Sequence, residues 1–198
     1  MLKGANTLTP NTKEFDRTQL EKVLSACNTH TIEKGEYLVR AGSVCKNFFY
    51  VQEGLLRQFS IDERGKEHNI QFAPEQWIIG DRERMFDAQE TVYFFQALEH
   101  TTYIIIDPEF MNDLALNDAS FAAYNNQQLH KHIMQLQKRI NMLLSATAEE
   151  RYLDFVDTYP NLTLRISQVM IASYLGITPE SLSRVRKELA QRHSKKTS

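Results

Sequence analysis

The chain has 198 residues, 42% hydrophobic and 24% charged, proportions of a folded globular protein with room for one large or two small domains, which excludes a disordered or collagen-like chain. No apolar run approaches the roughly 20 residues that a membrane-spanning helix needs, the opening MLKGANTLTP lacks the apolar centre of a secretory signal, and Cys27 and Cys45 are too few for a disulfide framework or a four-cysteine zinc or iron–sulfur site. The chain reads as cytoplasmic, with no membrane partner. The formal net charge of −2 hides a split: Asn161 to Ser198 holds seven basic residues (Arg165, Arg184, Arg186, Lys187, Arg192, Lys195, Lys196) against Glu180 and Glu188, leaving 16 basic and 23 acidic residues in 1–160. An acidic body with a basic C-terminal tip points to a polyanion partner for that tip; a solvated tail is the plainer alternative.

In chain order, Leu20, Val23, Leu24 and Cys27 mark one face of a short amphipathic helix. Five of the seven glycines then fall between residues 35 and 80. They bound short segments rich in aromatic and β-branched residues: EYLVRAG, NFFYVQEG, LLRQFSID and KEHNIQFA. Turn residues at this spacing, with the period-2 run His68-Ile70-Phe72, predict short antiparallel strands. Asp62-Glu63-Arg64-Gly65 fits a hairpin loop with glycine in the left-handed position, and VYFFQALE and TTYIIID add two further strands. Together they form a β-sandwich or barrel.

Between Pro108 and Pro160 there is neither glycine nor proline. Leu129, Ile133, Leu136, Ile140 and Leu143 follow one another at spacings of 4, 3, 4 and 3, a heptad seam with Ile at a and Leu at d, the pattern of a parallel two-stranded coil. Carried backwards, the seam puts Asn126 at an a position and Ala122 at d, and an Asn buried there fixes register and dimer state. A single helix packing its stripe on its own domain is the alternative. Thr147-Ala148-Glu149-Glu150 is a capping box that starts a new helix running to about Tyr159.

The last forty residues carry the sharpest pattern. Ser167 N-caps a helix whose apolar positions are Val169, Ile171, Ala172 and Leu175, and Gly176 ends it in the left-handed cap. Thr178 caps the next helix with Pro179 at its first position. Leu182, Val185 and Leu189 form its inward stripe, while Glu180, Ser181, Arg184, Arg186 and Lys187 face out. Two short helices crossing at a small residue over a glycine turn make a helix-turn-helix. Its second helix presents Glu, Ser and Arg at the end that enters the major groove of double-stranded DNA. Arg pairs with guanine O6 and N7 and Glu accepts from cytosine N4, while Lys187, Arg192 and Lys195-Lys196 suit phosphates.

IASYLGITPESLSRVRKEL resembles the recognition segment of the Crp/Fnr (catabolite-activator-like) family of bacterial transcription regulators. KGEYLVRAG followed by FFYVQEGLLRQFSIDERGKEHNIQFAPEQWIIGD is similar to that family's cyclic-nucleotide-binding-like jelly roll, and the heptad helix falls where the family has its dimerisation helix. The resemblance covers residues 15–192. It implies an α+β chain with an N-terminal antiparallel β jelly roll in residues 1–116, a long dimerisation helix in 117–146 and a helix-turn-helix DNA-binding domain in 147–198. It further implies a homodimer, an inverted-repeat operator, RNA polymerase as a further partner, and no enzymatic activity. By motif, Ser167 becomes a phosphate contact, Glu180 and Arg184 base readers, and Thr178, Ser181 and Lys187 further members of the DNA face. Asn126, Leu129, Ile133, Leu136, Ile140 and Leu143 become the dimer interface. Pro179 stands where many members have a basic residue, and the chain stops about nine residues after Leu189, so the usual β wing is expected to be reduced or absent.

Members that bind cyclic AMP carry a Glu after the cassette glycine and, about ten residues later, an Arg paired with Ser or Ala on the cyclic phosphate. Here Gly80 precedes Asp81-Arg82-Glu83-Arg84, and the later position reads Glu90-Thr91-Val92-Tyr93, without arginine. A buried phosphate charge without a partner is prohibitively costly. Gly80, Asp81, Arg82, Arg84 and Thr91 are therefore the candidate effector pocket of a sensor that does not hold cyclic AMP in the standard way, and its cofactor is left unknown. The spacing does not say whether Arg82 or Arg84 points inward. His130 and His132, two apart on a helix, face apart and share no metal ion. The rival to a DNA-reading regulator is a ligand-binding or protein-interaction module that has lost DNA recognition.

Overall fold

The computed structural model describes residues 15–85 and 89–196, without the side chains of residues 84, 85 and 193–196. Helix α1 (Arg17–Leu24) begins at a reciprocal cap, Asp16 accepting from the Gln19 amide and Gln19 accepting from the Asp16 amide, both at 2.9 Å. Leu20 and Leu24 are buried on its inner face.

Among the described residues eight strands follow, with the short helix α2 (Arg82–Met85) between the sixth and seventh: β1 (Thr29–Ile32), β2 (Tyr37–Val39), β3 (Phe48–Glu53), β4 (Leu56–Ile61), β5 (Glu67–Ala73), β6 (Ile78–Ile79), β7 (Phe94–Ala97) and β8 (Thr101–Ile106). They build two antiparallel sheets, ordered β1-β8-β3-β6 and β2-β7-β4-β5. This interleaving, first strand beside last and second beside seventh, is the double Greek key of a jelly roll. The β4–β5 hairpin forms where the sequence predicts it. Gly65 is left-handed (φ 77°), and Asp62 accepts from the amides of Arg64 (2.9 Å) and Lys66 (3.0 Å).

Each face of the sandwich has its own packing. Val51, Leu56, Ala73, Ile79, Phe95 and Ala97 fill the space between the sheets. Phe48, Tyr50, Ile104 and Ile106 turn to the opposite side of the first sheet and pack on α1 and Phe121. On the outer face of the second sheet, Leu55, Phe72 and Leu98 join the C-terminal helices through Phe155, Tyr159, Leu162, Ile171 and Leu175. The helix-turn-helix and the jelly roll thus share a core. Burying a large apolar side chain contributes about 1.5–3 kcal/mol, so this shared patch holds the two parts together.

The glycine-free stretch is broken where composition gave no signal. Asp107 and Pro108 start α3 (Pro108–Asn117), which Asp118 ends in an extended conformation (φ −132°, ψ 101°). The same Asp118 caps α4 (Ala119–Ser145), accepting from the Ser120 (2.8 Å) and Phe121 (3.2 Å) amides. The 27 residues of α4 span about 40 Å. The Thr147–Glu150 capping box opens α5 (Ala148–Thr158) as expected. A short α6 (Leu162–Arg165), not foreseen from sequence, precedes α7 (Gln168–Leu175) and α8 (Pro179–Lys196). Among the described residues no strand follows β8.

Candidate nucleic-acid interface

Ser167 caps α7, accepting from the Met170 amide at 3.2 Å. Ile171, Ala172 and Leu175 are buried as predicted, but Val169 is 63% exposed and the half-buried Met170 packs in its place. The correction follows from the helical period: Val169 lies two residues from Ile171, some 200° around the helix, and so faces away from the shared core. Gly176 is left-handed (φ 66°, ψ 34°), and the Ile177 amide closes the turn on the Ala172 carbonyl at 3.0 Å. Thr178 then accepts from the Ser181 amide at 3.2 Å, with Pro179 opening α8.

On α8, Leu182 and Val185 are buried and Leu189 half-buried, whereas Glu180, Arg184, Arg186 and Lys187 are exposed. The two serines of this helix differ. Ser181 is half-buried and its hydroxyl accepts from Thr178 at 3.2 Å, which makes it part of the cap. Ser183 is exposed. Glu180, Ser183, Arg184 and Lys187 stand at i, i+3, i+4 and i+7, one continuous face. Sequence reasoning missed Ser183; its spacing from Glu180 was the available signal. The main-chain amide at Glu180 and the Thr178 hydroxyl hold the Glu180 carboxyl below its ordinary pKa, so it is an ionised acceptor at neutral pH. Ser167 is exposed at the N-terminus of α7, where backbone N–H groups favour anions.

The basic tip is smaller than the sequence suggests. Arg165 turns back onto the jelly roll and donates to Glu75 (2.8 and 2.9 Å), to Glu99 and to the Gly54 carbonyl (3.0 Å). These acids push its own pKa up, Glu75 first. Burial is the largest influence on Glu75 and opposes its ionisation, but the Arg165 hydrogen bond and charge, together with the main-chain amides of Glu75 and Gly54, outweigh it and leave that carboxyl below its ordinary value. Arg192, read from sequence as a phosphate contact, pairs with Glu149 through both carboxylate oxygens. The side chains of Lys195 and Lys196 lie outside the described residues.

In the cassette, a Cβ on Gly80 would lie 2.7 Å from the Phe48 ring and 3.2 Å from the Asn47 carbonyl, so only glycine fits. Asp81 and Thr91 are both buried, and the Thr91 hydroxyl donates to Asp81 at 2.5 Å while accepting from the Tyr93 amide at 3.1 Å. Thr91 is pinned on its other side, its amide donating to the Ser43 carbonyl at 2.9 Å. Arg82 packs against an aromatic ring. Its guanidinium sits 4.7 Å over Phe48, on the outward side of the first sheet, because Phe48 belongs to the packing opposite the sandwich interior. Of the candidate pocket residues, the structure thus brings Asp81 and Thr91 together beside Gly80 and sets Arg82 against Phe48; the Arg84 side chain lies outside the described residues. Burial pushes the Cys45 thiol up, which disfavours the reactive thiolate. Burial, then the Arg82 charge, lowers the His132 pKa. Among the described residues no three potential ligands gather for a metal ion, and no helix is long and apolar enough to cross a membrane.

Residues 29–118 match the cyclic nucleotide-binding domain family. The chain is 27% identical over 191 residues to electron transport regulator A of Shewanella oneidensis, covering 89% of this chain and 73% of the relative. It is 28% identical over 194 residues to the fumarate and nitrate reduction regulatory protein of Vibrio cholerae, with the same coverage of 89% and 73%. Its fold superposes on FixK2 of Bradyrhizobium japonicum with a TM-score of 0.72 at 17% identity, over 84% of this chain and 86% of that one. The jelly roll thus matches the cyclic nucleotide-binding domain family, the relatives aligned with 89% of this chain are named as regulators, and the fold is similar to that of solved Crp/Fnr-family regulators.

Proposed function

We propose that the chain acts as a homodimer that reads an inverted repeat in double-stranded DNA. The observation that carries this reading is the exposed face of α8, where an ionised Glu180, Ser183, Arg184 and Lys187 line up directly after a left-handed glycine turn. Arg184 takes guanine O6 and N7, Glu180 accepts from cytosine N4, and Lys187 and Ser167 hold phosphates. Thr178 and Ser181 set the helix start that places these groups. Pairing through α4 brings two such faces about 34 Å apart, on successive major grooves.

The β domain is the sensor in this reading. The position where cyclic-AMP-binding relatives place their phosphate-holding arginine reads Glu90-Thr91-Val92-Tyr93 here, without one, so in this reading cyclic AMP is not its ligand in the standard geometry. An effector acts by shifting the dimer between arrangements, in proportion to its differential affinity for them.

The salt dependence of duplex binding tests the reading against an interaction module. A DNA reader loses affinity with a log–log slope of about −0.9 per phosphate contact. A dependence near zero would favour the rival, in which the C-terminal helices pack on a protein partner.

A further inference from the structure

Strand β5 is the outer strand of its sheet, yet α7 and α4 occupy its rim. Ser173 of α7 accepts from the Asn69 amide at 3.0 Å and donates to the Glu67 carbonyl at 2.9 Å. Arg139 of α4 reaches the same place. Its guanidinium donates to the Ile70 carbonyl, to the Asn69 carbonyl (3.2 Å) and to the Tyr174 carbonyl of α7 (3.2 Å), and lies 3.9 Å over the Tyr174 ring. One side chain thus joins the seam helix, the sensory sheet and the helix-turn-helix.

The way Arg139 is held sets it apart from a stabilising ion pair. Its acceptors are main-chain carbonyls, and its Nε is buried without a hydrogen-bond partner. An orphaned buried donor is costly. What the rigid, planar fork supplies in return is direction, with three acceptors and a ring fixing one orientation. Arg139 also immediately precedes Ile140 of the seam. Four residues further on, α4 meets the helix-turn-helix again: a Cβ on Gly176 would lie 3.2 Å from Leu143 Cδ2.

We infer that Arg139 is a positioning residue, holding α7, and through it α8, at a set angle to α4 so that the two reading faces of the dimer are pre-spaced for consecutive grooves. This rests on the dimeric DNA-reading function proposed above. The reading face is exposed in this arrangement, so the junction pre-organises binding and does not mask it. Loss of Arg139 leaves each half of the dimer able to bind its half-site but lowers the effective concentration of the second half for its own.

The test compares Arg139→Ala, Arg139→Lys and the unaltered protein on two duplexes, one with the inverted repeat recovered by selection and one with a single half-site. Arg139→Lys keeps the charge and most of the stem, so neither lost attraction for DNA nor unfolding accounts for a loss seen with it. Both variants are expected to remain dimers by light scattering, to lose about tenfold on the inverted repeat and to change by less than about twofold on the half-site. Equal losses on both duplexes would reduce Arg139 to a general structural role, and tighter binding of the inverted repeat would make the junction inhibitory; either overturns the inference. An unaltered protein that binds both duplexes equally would instead overturn the dimeric reading beneath it.

Discussion

Substituting Ile140 by Glu is expected to convert the dimer into monomers and to weaken binding to an inverted repeat by at least about a hundredfold, because the second half-site then has to be filled by a separate molecule. In a single chain Ile133 is 50% exposed, Leu136 45%, Ile140 58% and Leu143 40%. Four large apolar residues in heptad register left this open on one helix face are what the proposed dimer would cover. In a parallel pair the two introduced carboxylates would meet across the seam and could both ionise only at great cost. Sedimentation gives the mass and duplex titration the affinity. A variant that stayed dimeric would show that the contact lies elsewhere and that the stripe is covered by other means.

Arg184→Ala is expected to cost about 1–3 kcal/mol on the selected site and to relax preference at one base position, with little loss on random duplex. Arg184 is exposed one turn from Glu180 and outside any of the ion pairs that hold Arg165 and Arg192. Among the described residues no ion pair holds its fork, which leaves it for a guanine edge, the commonest specific contact of this kind. Lys187→Ala, a phosphate contact in this account, lowers all sequences alike. Titrations against both duplexes separate the two behaviours, and equal losses for Arg184→Ala would remove it from the base readers.

Local chemistry explains what the sequence made legible. Gly65, Gly176 and the caps at Thr147, Ser167 and Thr178 act within a few residues of themselves, and all formed as expected. The heptad is local too, and α4 runs through it without interruption. The break at Asp118 was hidden because an aspartate both ends α3 and caps α4, with no glycine or proline to announce it. Strand partners were not legible: β1 pairs with β8 from Thr29↔Ile104 onward, a contact set by the closed sandwich and not by any neighbour in sequence.

The cations were misjudged for the same reason. Arg165 finds acids 66 and 90 residues away, and Arg139 finds carbonyls 69 and 70 residues away. No count of charges along the chain separates a guanidinium that grips its own protein from one left for DNA. The cassette was half legible. The missing arginine could be read directly, whereas the Asp81–Thr91 bond and the outward turn of Arg82 needed the folded sheet.

Selection from a randomised duplex library with the purified full chain, run with and without cyclic AMP, puts the DNA-reading dimer to its sharpest trial. An inverted repeat whose half-site centres lie about one helical turn apart is expected to be enriched, to the same extent in both arms. Enrichment confined to the cyclic AMP arm would contradict the reading of the cassette, and enrichment of nothing in either arm would contradict the claim that this chain, as it stands, reads DNA.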